Sequence, residues 1–408
     1  MILKSPFKEA KMTFRKLFID AIFLANIFVL LCSIIGTFMN LKYFTLEDFG
    51  TITYIIKASN VIAFISNLGL AFSINQFPKY VMFHRQNILR IIAIVLSLNG
   101  VIAIIYFHFF RESNFLIAGI AYSLALLISM NIYSFLNGKQ ESKNYSILRV
   151  MQSLFPLILV ATCQIFSVQL ESRRFLYIMV IFLSVSSSIS LIVSLKRNNK
   201  VHEYENEVTP TLKFLKFALH SYPFQLYRGL HLNLDFMILG FILDGKDLAE
   251  YSLAITLAVT PQIYLVSQSV SIQSIARRDK KYLTLKKVAR NIFVRNFCYS
   301  SLILFLEIIF FSLFHESFFK GNISTIFTLL VILVPACLID ATNSFLGSAI
   351  IGLDKGKMLS KIQAKGFLLN ALLLFIVIGK FGILGAASAS LFSYSYVLVK
   401  TKMLIKEL

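Results

Sequence analysis

Four ionisable side chains share one face of a single apolar stretch in the second half of the chain. They are two histidines, an arginine and an aspartate: His220, Arg228, His231 and Asp235. In a helix of 3.6 residues per turn these positions fall at about 0°, 80°, 20° and 60°, and Tyr227 lies within about 20° of the same stripe. Ionisable groups in mid-membrane cost roughly 2.5–3.5 kcal/mol each on insertion scales. We therefore expect the stripe to line an interior cavity or to pair with another helix.

Further polar candidates lie in two other apolar stretches. Lys57 is accompanied by Asn60 and Asn67 on a broad polar side, and Asp340 follows a proline in a later stretch. Lys57 either extends toward the nearer membrane surface or faces the same cavity. An ammonium or guanidinium inside the protein suits phosphate oxygens, whereas carboxylates and imidazoles suit a proton or Na+.

The sequence lacks the common motifs of enzymes. It has no Asp-x-Asp for a metal-bound sugar nucleotide, no His-Glu-x-x-His, no Gly-x-Ser-x-Gly and no phosphate-binding loop of the Walker type. The 4 cysteines have no metal-like spacing, so we expect them to be packing residues. These absences predict a protein that is not an enzyme, with no catalytic residue, no metal ligand and no cofactor.

Apolar stretches of about 20 residues, the length that crosses a bilayer, recur twelve times. They lie roughly at 18–40, 50–74, 89–110, 114–136, 147–167, 175–195, 214–243, 248–275, 292–314, 323–350, 360–379 and 382–399. The pattern predicts an all-α integral membrane protein with about 12 transmembrane helices. The first stretch is longer than the apolar run of a signal peptide and has no small-residue cleavage site, so we expect it to be the first span.

Positive charge falls almost entirely on one side of these spans. The chain has 40 Lys and Arg against 20 Asp and Glu. Of the 40, 31 lie in the two terminal segments and alternate loops, 7 lie in the other loops, and Lys57 and Arg228 lie inside spans. Excess basic residues mark the cytoplasmic side of a membrane protein. We therefore expect both termini in the cytoplasm, and the charge does not indicate nucleic-acid binding.

The chain divides into two similar halves. The longest polar loop, about 196–213, lies midway and predicts an N-terminal six-helix lobe at 1–200 and a C-terminal six-helix lobe at 201–408. An acid, an aromatic and a small residue begin the second span at 48–50 and the eighth span at 250–252. The acids fit the first turn of a helix, where a carboxylate meets free N–H groups. Such a duplication is typical of transporters with a site between two lobes.

Three motifs carry a family resemblance. They are Leu46-Glu-Asp-Phe-Gly50 followed by Asn67-Leu-Gly-Leu70, Asn233-Leu-Asp-Phe-Met-Ile-Leu-Gly240 followed by Glu250-Tyr-Ser-Leu-Ala254, and Phe381-Gly-Ile-Leu-Gly-Ala-Ala-Ser-Ala-Ser390. Their order and spacing resemble the polysaccharide-transport family, which includes the Wzx-type O-antigen flippases. Asp235 falls where that family commonly has an Asp in its seventh span. Lys57 and Arg228 resemble the family only as basic residues inside spans, since no motif fixes their positions.

The resemblance implies two six-helix lobes around a central cavity, as in the multidrug/oligosaccharidyl-lipid/polysaccharide exporter superfamily. It also implies a flippase that moves an undecaprenyl-diphosphate oligosaccharide from the cytoplasmic to the periplasmic leaflet of the bacterial inner membrane, for O-antigen, lipopolysaccharide or related polysaccharide. Its partners would be membrane lipids and the O-antigen polymerase and chain-length machinery. Our hypothesis assigns the diphosphate to Arg228 and Lys57. The remaining cavity or coupling candidates are His220, Tyr227, His231, Asp235, Asp340, Asn60 and Asn67.

Other functions stay open from the sequence. A lipid II flippase would have a similar interior, and a multidrug or cation exporter on the same fold predicts a cavity dominated by acids and aromatics. A membrane glycan polymerase or ligase is less favoured because its expected large outer loop is missing. The driving force is either the membrane potential, worth about 2.3 kcal/mol per charge per 100 mV, or H+ or Na+ bound by Asp235, Asp340 or the histidines.

Overall fold

The computed structural model describes residues 21–109, 115–139, 141–196, 211–243, 245–259, 262, 301, 305, 309, 322–352 and 355–407. Within these ranges all regular secondary structure is helical. The prediction of an all-α protein is therefore confirmed. All of the predicted span at 292–314 except residues 301, 305 and 309, most of the predicted linker at 196–213 and Cys298 lie outside the described residues. The three described cysteines are buried and unpaired with one another.

Eight described helices come from the N-terminal half and four from the C-terminal half. The first eight are Ala21–Tyr43 (α1), Leu46–Ser66 (α2), Leu70–Gln76 (α3), Pro78–Phe83 (α4), Arg85–Phe109 (α5), Leu116–Gly138 (α6), Ser142–Ile165 (α7) and Ser172–Lys196 (α8). The last four are Thr211–Ile242 (α9), Gly245–Val259 (α10), Ile323–Gly352 (α11) and Gly356–Glu407 (α12). Helix α12 bends at Gly382, whose φ is 52°, and so contains the last two predicted spans.

Seven of the described helices are long and apolar enough to cross a membrane: α2, α5, α6, α7, α8, α11 and α12. Shorter apolar stretches at Ile27–Tyr43 and Asn233–Ile242 lie in α1 and α9. Large apolar side chains such as Ile94, Ile181 and Phe375 are strongly exposed, as expected of a surface that faces lipid rather than water. These helices are those of a multi-pass membrane protein.

The described helices pack as two groups. In the N-terminal group (α1–α8), α1 packs on α7, and α6 lies against α2, α3, α5 and α8. In the C-terminal group (α9–α12), α12 packs along α9 and α11, and α10 lies against α11. The groups meet mainly where α2 and α3 pack against α9 and α10, a contact that we call the inter-group seam. The lobe limits at 1–200 and 201–408 stay a prediction, because residues 197–210 lie outside the described part.

The two ends of the bundle carry different turns and helix starts. The Thr45 end carries the turn between α1 and α2 and the starts of α8 and α10, and the Gln76 end carries the end of α3 and the start of α9. At the Thr45 end, Thr45 accepts a hydrogen bond from the N–H of Asp48 at 3.1 Å and donates to its Oδ2 at 2.7 Å. The Thr45 hydroxyl thereby caps α2, and Asp48 lies in the first turn as the sequence predicts, although its carboxylate accepts from this hydroxyl and not from a free N–H group. The Glu250 carboxylate instead accepts from the N–H of Asn322 at 2.9 Å, so it caps the neighbouring helix α11.

The second predicted span, 50–74, is not a single helix. Leu68 and Gly69 have φ of 50° and 77° and separate α2 from α3. A Cβ on Gly69 would lie 2.1 Å from the carbonyl oxygen of Ala218 in α9. Because only glycine fits at this contact, the break lets the chain approach α9 closely near the Gln76 end.

Candidate functional site

Contacts along the inter-group seam determine which parts of α2 and α9 face each other. A Cβ on Gly240 would lie 2.1 Å from the ring of Tyr54, and one on Gly229 would lie 2.6 Å from the ring of Phe64. The two helices therefore run antiparallel in close contact. This register places the middle of α2, with Lys57, opposite the part of α9 between the two glycines.

Lys57 lies in mid-helix and turns into the seam. It is about 16 Å along the axis from Leu46 at the start of α2. Its Nζ lies 5.1 Å from the centroid of the Phe236 ring in α9, which is a cation–π distance. The side chain is half-buried. The ammonium thus lies between the two helix groups, not at the nearer membrane surface.

Asp235 brings a carboxylate to the same part of the seam. It is 2% exposed. Its Oδ1 accepts a hydrogen bond from the N–H of Phe236 at 2.9 Å, and its Oδ2 accepts one from the hydroxyl of Tyr251 in α10. Asp235 and Lys57 interact electrostatically. A carboxylate fixed within the C-terminal group therefore faces a cation of the N-terminal group.

The two charges attract each other without forming an ion pair. Among the described residues, no hydrogen bond or ion pair to the Lys57 ammonium is present, and its close contact there is the Phe236 ring. An ammonium carries three N–H donors, from which phosphate oxygens accept charge-assisted hydrogen bonds. The seam thus holds a mid-span cation with unused donor capacity, which an anion can satisfy.

Other members of the predicted stripe lie in different surroundings. His231 is 3% exposed, its Nε2 lies 2.9 Å from the Oγ of Ser393, and its ring lies 4.6 Å from that of Tyr394. It therefore packs inside the C-terminal group against α12. His220 is exposed, and Tyr227 is half-buried beside α12. The described members of the stripe do not face one common space, because His231 and Tyr227 lie against α12, Asp235 lies against α10, and His220 is exposed.

Arg228 is described only by its helix position. It lies in α9 one residue before Gly229, whose Cα faces Phe64 of α2, and about 10 Å along the axis from Asp235. Its side chain lies outside the described atoms. The backbone places it along the seam, on the side of Asp235 that is nearer the Gln76 end. Its predicted role toward a diphosphate stays a prediction.

The two asparagines of α2 have separate surroundings. Asn60 is half-buried one turn after Lys57, on the same side of the helix. Asn67 is fully buried, and its Oδ1 accepts a hydrogen bond from the N–H of Ala71 at 2.9 Å. It thereby stabilises the start of α3 after the break. Its Nδ2 has no hydrogen-bond partner among the described atoms.

Asp340 belongs to a second polar cluster, inside the C-terminal group. It is half-buried on α11 and interacts electrostatically with Cys337 and Tyr394. Asn343 donates a hydrogen bond to the carbonyl oxygen of Tyr394 at 3.0 Å, and the Tyr394 hydroxyl donates to that of His231 at 3.5 Å. The cluster joins α9, α11 and α12 and adjoins the contact between Lys57 and Asp235, because Cys337 interacts electrostatically with both of these residues as well.

Sequence reasoning did not identify the residues that position the two seam charges. The repeat motif marks Tyr251 as an aromatic position, but nothing in its spacing shows that its hydroxyl meets Asp235, 16 residues earlier on another helix. Phe236 looks like an ordinary apolar residue of α9, although its ring lies under Lys57. Contacts between crossing helices depend on how the helices pack, and the sequence shows no periodic pattern that would reveal them.

Two surface cavities of the described residues lie at the Thr45 end. One, of about 380 Å³, is lined by residues that include Asp48, Glu171 and Arg173. The other, of about 440 Å³, is lined by residues that include Lys42 and Gln164. None of the predicted site residues lines either cavity. Within the described part of the chain, no group of three or more His, Cys, Asp or Glu is placed to hold a metal ion.

Comparison with known proteins identifies the fold. No protein-family model and no curated protein matches the sequence. Among solved structures, an inward-facing multidrug resistance MATE family transporter of the MOP superfamily matches with a TM-score of 0.63 and 13% identity, over 93% of this chain and 95% of that chain. The lipid II flippase MurJ, in its inward closed conformation, matches with a TM-score of 0.62 and 13% identity, over 94% of this chain and 87% of that chain. A MOP superfamily transporter from Pyrococcus furiosus matches with a TM-score of 0.61 and 14% identity, over 95% of this chain and 96% of that chain. At these identities the likeness concerns the fold alone, and the chain has the fold of the MOP superfamily transporters.

Proposed function

We propose that this protein is a flippase for an undecaprenyl-diphosphate-linked oligosaccharide repeat unit. It moves its substrate from the cytoplasmic to the periplasmic leaflet of the bacterial inner membrane by alternating access, in the synthesis of O-antigen or a related surface polysaccharide. One observation carries the proposal: in the middle of α2, between the two helix groups, Lys57 places an ammonium that makes no hydrogen bond or ion pair with the described residues. The fold supports transport, since exporters and a lipid II flippase share it.

A diphosphate suits such a site chemically. Phosphate oxygens accept charge-assisted hydrogen bonds, which are shorter and stronger than neutral ones. Arg228, whose guanidinium would offer a planar fork for phosphate oxygens, lies about 12 Å along α9 from the part that faces Lys57. The two cations belong to different helix groups. A diphosphate held by both would therefore link substrate binding to the relative position of the groups.

Two other cargoes fit the fold. Lipid II also carries a diphosphate, so Lys57 and Arg228 would serve it equally, and the difference would lie in contacts to the sugars. A multidrug exporter is favoured by the carboxylate of Asp235 and the aromatic rings beside it. Lys57 opposes a cationic drug at this place, because like charges repel strongly in a low-dielectric interior. We therefore rank the diphosphate cargo first.

The remaining polar residues are candidates for lining the cavity or for coupling to H+ or Na+. Asp235 and Asp340 offer carboxylates, and His220 and His231 offer imidazoles. The hydrogen bonds of His231 and Asn67 within their own helix groups support a structural role for these two. Collapsing the pH gradient alone, the Na+ gradient alone and the potential alone in vesicles separates ion coupling from movement driven by the potential.

The decisive experiment replaces Lys57 in a strain deleted for the gene. Surface glycan and the lipid-linked repeat unit on each leaflet are measured after complementation with wild type, Lys57→Met or Lys380→Met. Lys380 is exposed and gives a matched loss of one ammonium. We expect Lys57→Met to lose surface glycan and to accumulate the repeat unit on the cytoplasmic leaflet, and Lys380→Met to resemble wild type.

The same strain distinguishes the competing functions. If deletion leaves surface glycan unchanged and increases sensitivity to cationic drugs, the protein is a drug exporter and the proposed substrate is wrong. If the deletion instead leads to accumulation of lipid II on the cytoplasmic leaflet, the diphosphate chemistry is right and the sugar assignment is wrong.

A further inference from the structure

Lys57 and Asp235 are opposite charges of different helix groups, and they lie at the same part of the inter-group seam, since the Lys57 ammonium is 5.1 Å from the ring of Phe236, the residue after Asp235. We propose that Asp235 is an internal counter-ion that competes with the anionic cargo for Lys57. An anion that enters the seam takes over the ammonium, and the carboxylate recovers it when the anion leaves. This inference rests on the proposed function, because it specifies how the same site is regulated.

The position of Asp235 supports this role. The carboxylate is 2% exposed and is fixed by two donors, the hydroxyl of Tyr251 and the N–H of Phe236. It acts on Lys57 electrostatically without an ion-pair contact. A carboxylate held back in this way stabilises the half-buried ammonium between transport events and leaves the three N–H donors accessible to phosphate oxygens.

Asp340 is a second carboxylate of this region, on α11. It interacts with Cys337 and Tyr394 inside the C-terminal group. Asp235 is the carboxylate that directly precedes Phe236, whose ring lies against the Lys57 ammonium. We therefore assign the competition to Asp235, and Tyr251 is the residue that positions it.

Two substitutions should move anion affinity in opposite directions. Asp235→Asn removes the competing charge, so an anion should bind Lys57 more tightly and leave more slowly. Tyr251→Phe removes the hydroxyl that holds the carboxylate back, so Asp235 can approach Lys57 and the anion should bind less tightly. In the double variant no carboxylate remains to be released, so it should behave like Asp235→Asn alone.

The test measures binding of inorganic pyrophosphate to the purified full chain in nanodiscs, and transport of undecaprenyl-diphosphate oligosaccharide in proteoliposomes. We expect Asp235→Asn to tighten pyrophosphate binding by at least about fivefold, the lower end of typical coupling between sites, and to lower both KM and kcat. Tyr251→Phe should weaken binding by a similar factor. Asp247→Asn, in the first turn of α10, controls for the loss of one carboxylate and should leave binding unchanged.

The outcomes separate this inference from the proposed function. If Lys57→Met abolishes pyrophosphate binding while Asp235→Asn and Tyr251→Phe leave it unchanged, the counter-ion role is wrong and the diphosphate site stands. If Lys57→Met leaves pyrophosphate binding unchanged, the diphosphate site is wrong and the counter-ion role fails with it. If Asp235→Asn does not fold, Tyr251→Phe decides, since it keeps the size of the side chain.

Discussion

Gly50 of α2 and Gly245 at the start of α10 pack backbone against backbone at the Thr45 end. A Cβ on Gly50 would lie 1.9 Å from the carbonyl oxygen of Gly245. No side chain fits between the two helices here, so the helix groups approach as closely as their backbones allow. If the protein works by alternating access, this contact must separate when the Thr45 end opens.

We expect Gly50→Ala to lose both stability and transport. The added methyl would displace α10 because the atom it meets belongs to the backbone, and overpacking of this kind costs about 1–3 kcal/mol. The control is Gly100→Ala in α5, where a Cβ would meet nothing within 4 Å. Thermal unfolding in detergent and transport in proteoliposomes measure the two effects. Equal behaviour of the two variants would show that the close contact at Gly50 does not matter for closure.

A second glycine pair separates backbone strain from steric contact. Gly69 and Gly382 both have positive φ, 77° and 52°, but a Cβ on Gly69 would lie 2.1 Å from the carbonyl oxygen of Ala218, whereas one on Gly382 would meet nothing within 4 Å. We expect Gly382→Ala to lose about 1–3 kcal/mol from strain alone and Gly69→Ala to lose clearly more. The free energy of unfolding in detergent measures both. Equal losses would mean that α9 moves aside at no cost.

Lys139 and Glu141 form a buried ion pair in the turn between α6 and α7. Their N–O distance is 2.7 Å, and the two side chains are 1% and 5% exposed. Lys139 also donates to the carbonyl oxygen of Ser194 at 2.8 Å, which ties this turn to the end of α8. We expect Glu141→Gln to destabilise the protein by about 3–5 kcal/mol, because it leaves a buried ammonium without its counter-ion.

The matched control for this ion pair is an exposed one. Glu171 and Arg174 lie 3.6 Å apart with side chains 70% and 68% exposed. Glu171→Gln should change the free energy of unfolding by less than about 1 kcal/mol, since water and salt screen such a pair. Denaturation of both variants in the same detergent gives the comparison. A loss from Glu141→Gln as small as that from Glu171→Gln would show that water reaches the buried pair.

How much the sequence could predict depends on which physical constraint acts. Helices α5, α6 and α8 lie close to the predicted 89–110, 114–136 and 175–195, because a bilayer demands about 20 apolar residues in any spanning helix. The break at Leu68 and Gly69 was not predicted, since a glycine within an apolar run is compatible with an unbroken helix.

The candidate site shows the same limit. The helical angles of His231 and Asp235 follow from their spacing, and both residues do lie in one helix. Their partners, Ser393 and Tyr251, come from other helices, 162 and 16 residues away. Spacing within one helix determines which face a residue occupies, whereas its neighbour is determined by how the helices cross. The sequence therefore identifies the charged residues of the seam but not the residues that hold them.

Arg228 provides the last prediction, because the sequence places a second cation in the seam helix α9. We expect Arg228→Ala to abolish transport while the protein stays in the membrane, since a diphosphate would lose its bidentate donor. Arg228→Lys should retain part of the activity through its charge, and Arg90→Ala, at an exposed position of α5, controls for the loss of one guanidinium. Surface glycan and membrane-fraction immunoblots are measured together. Normal surface glycan in the Arg228→Ala strain would overturn the hypothesis that Arg228 and Lys57 hold the diphosphate together.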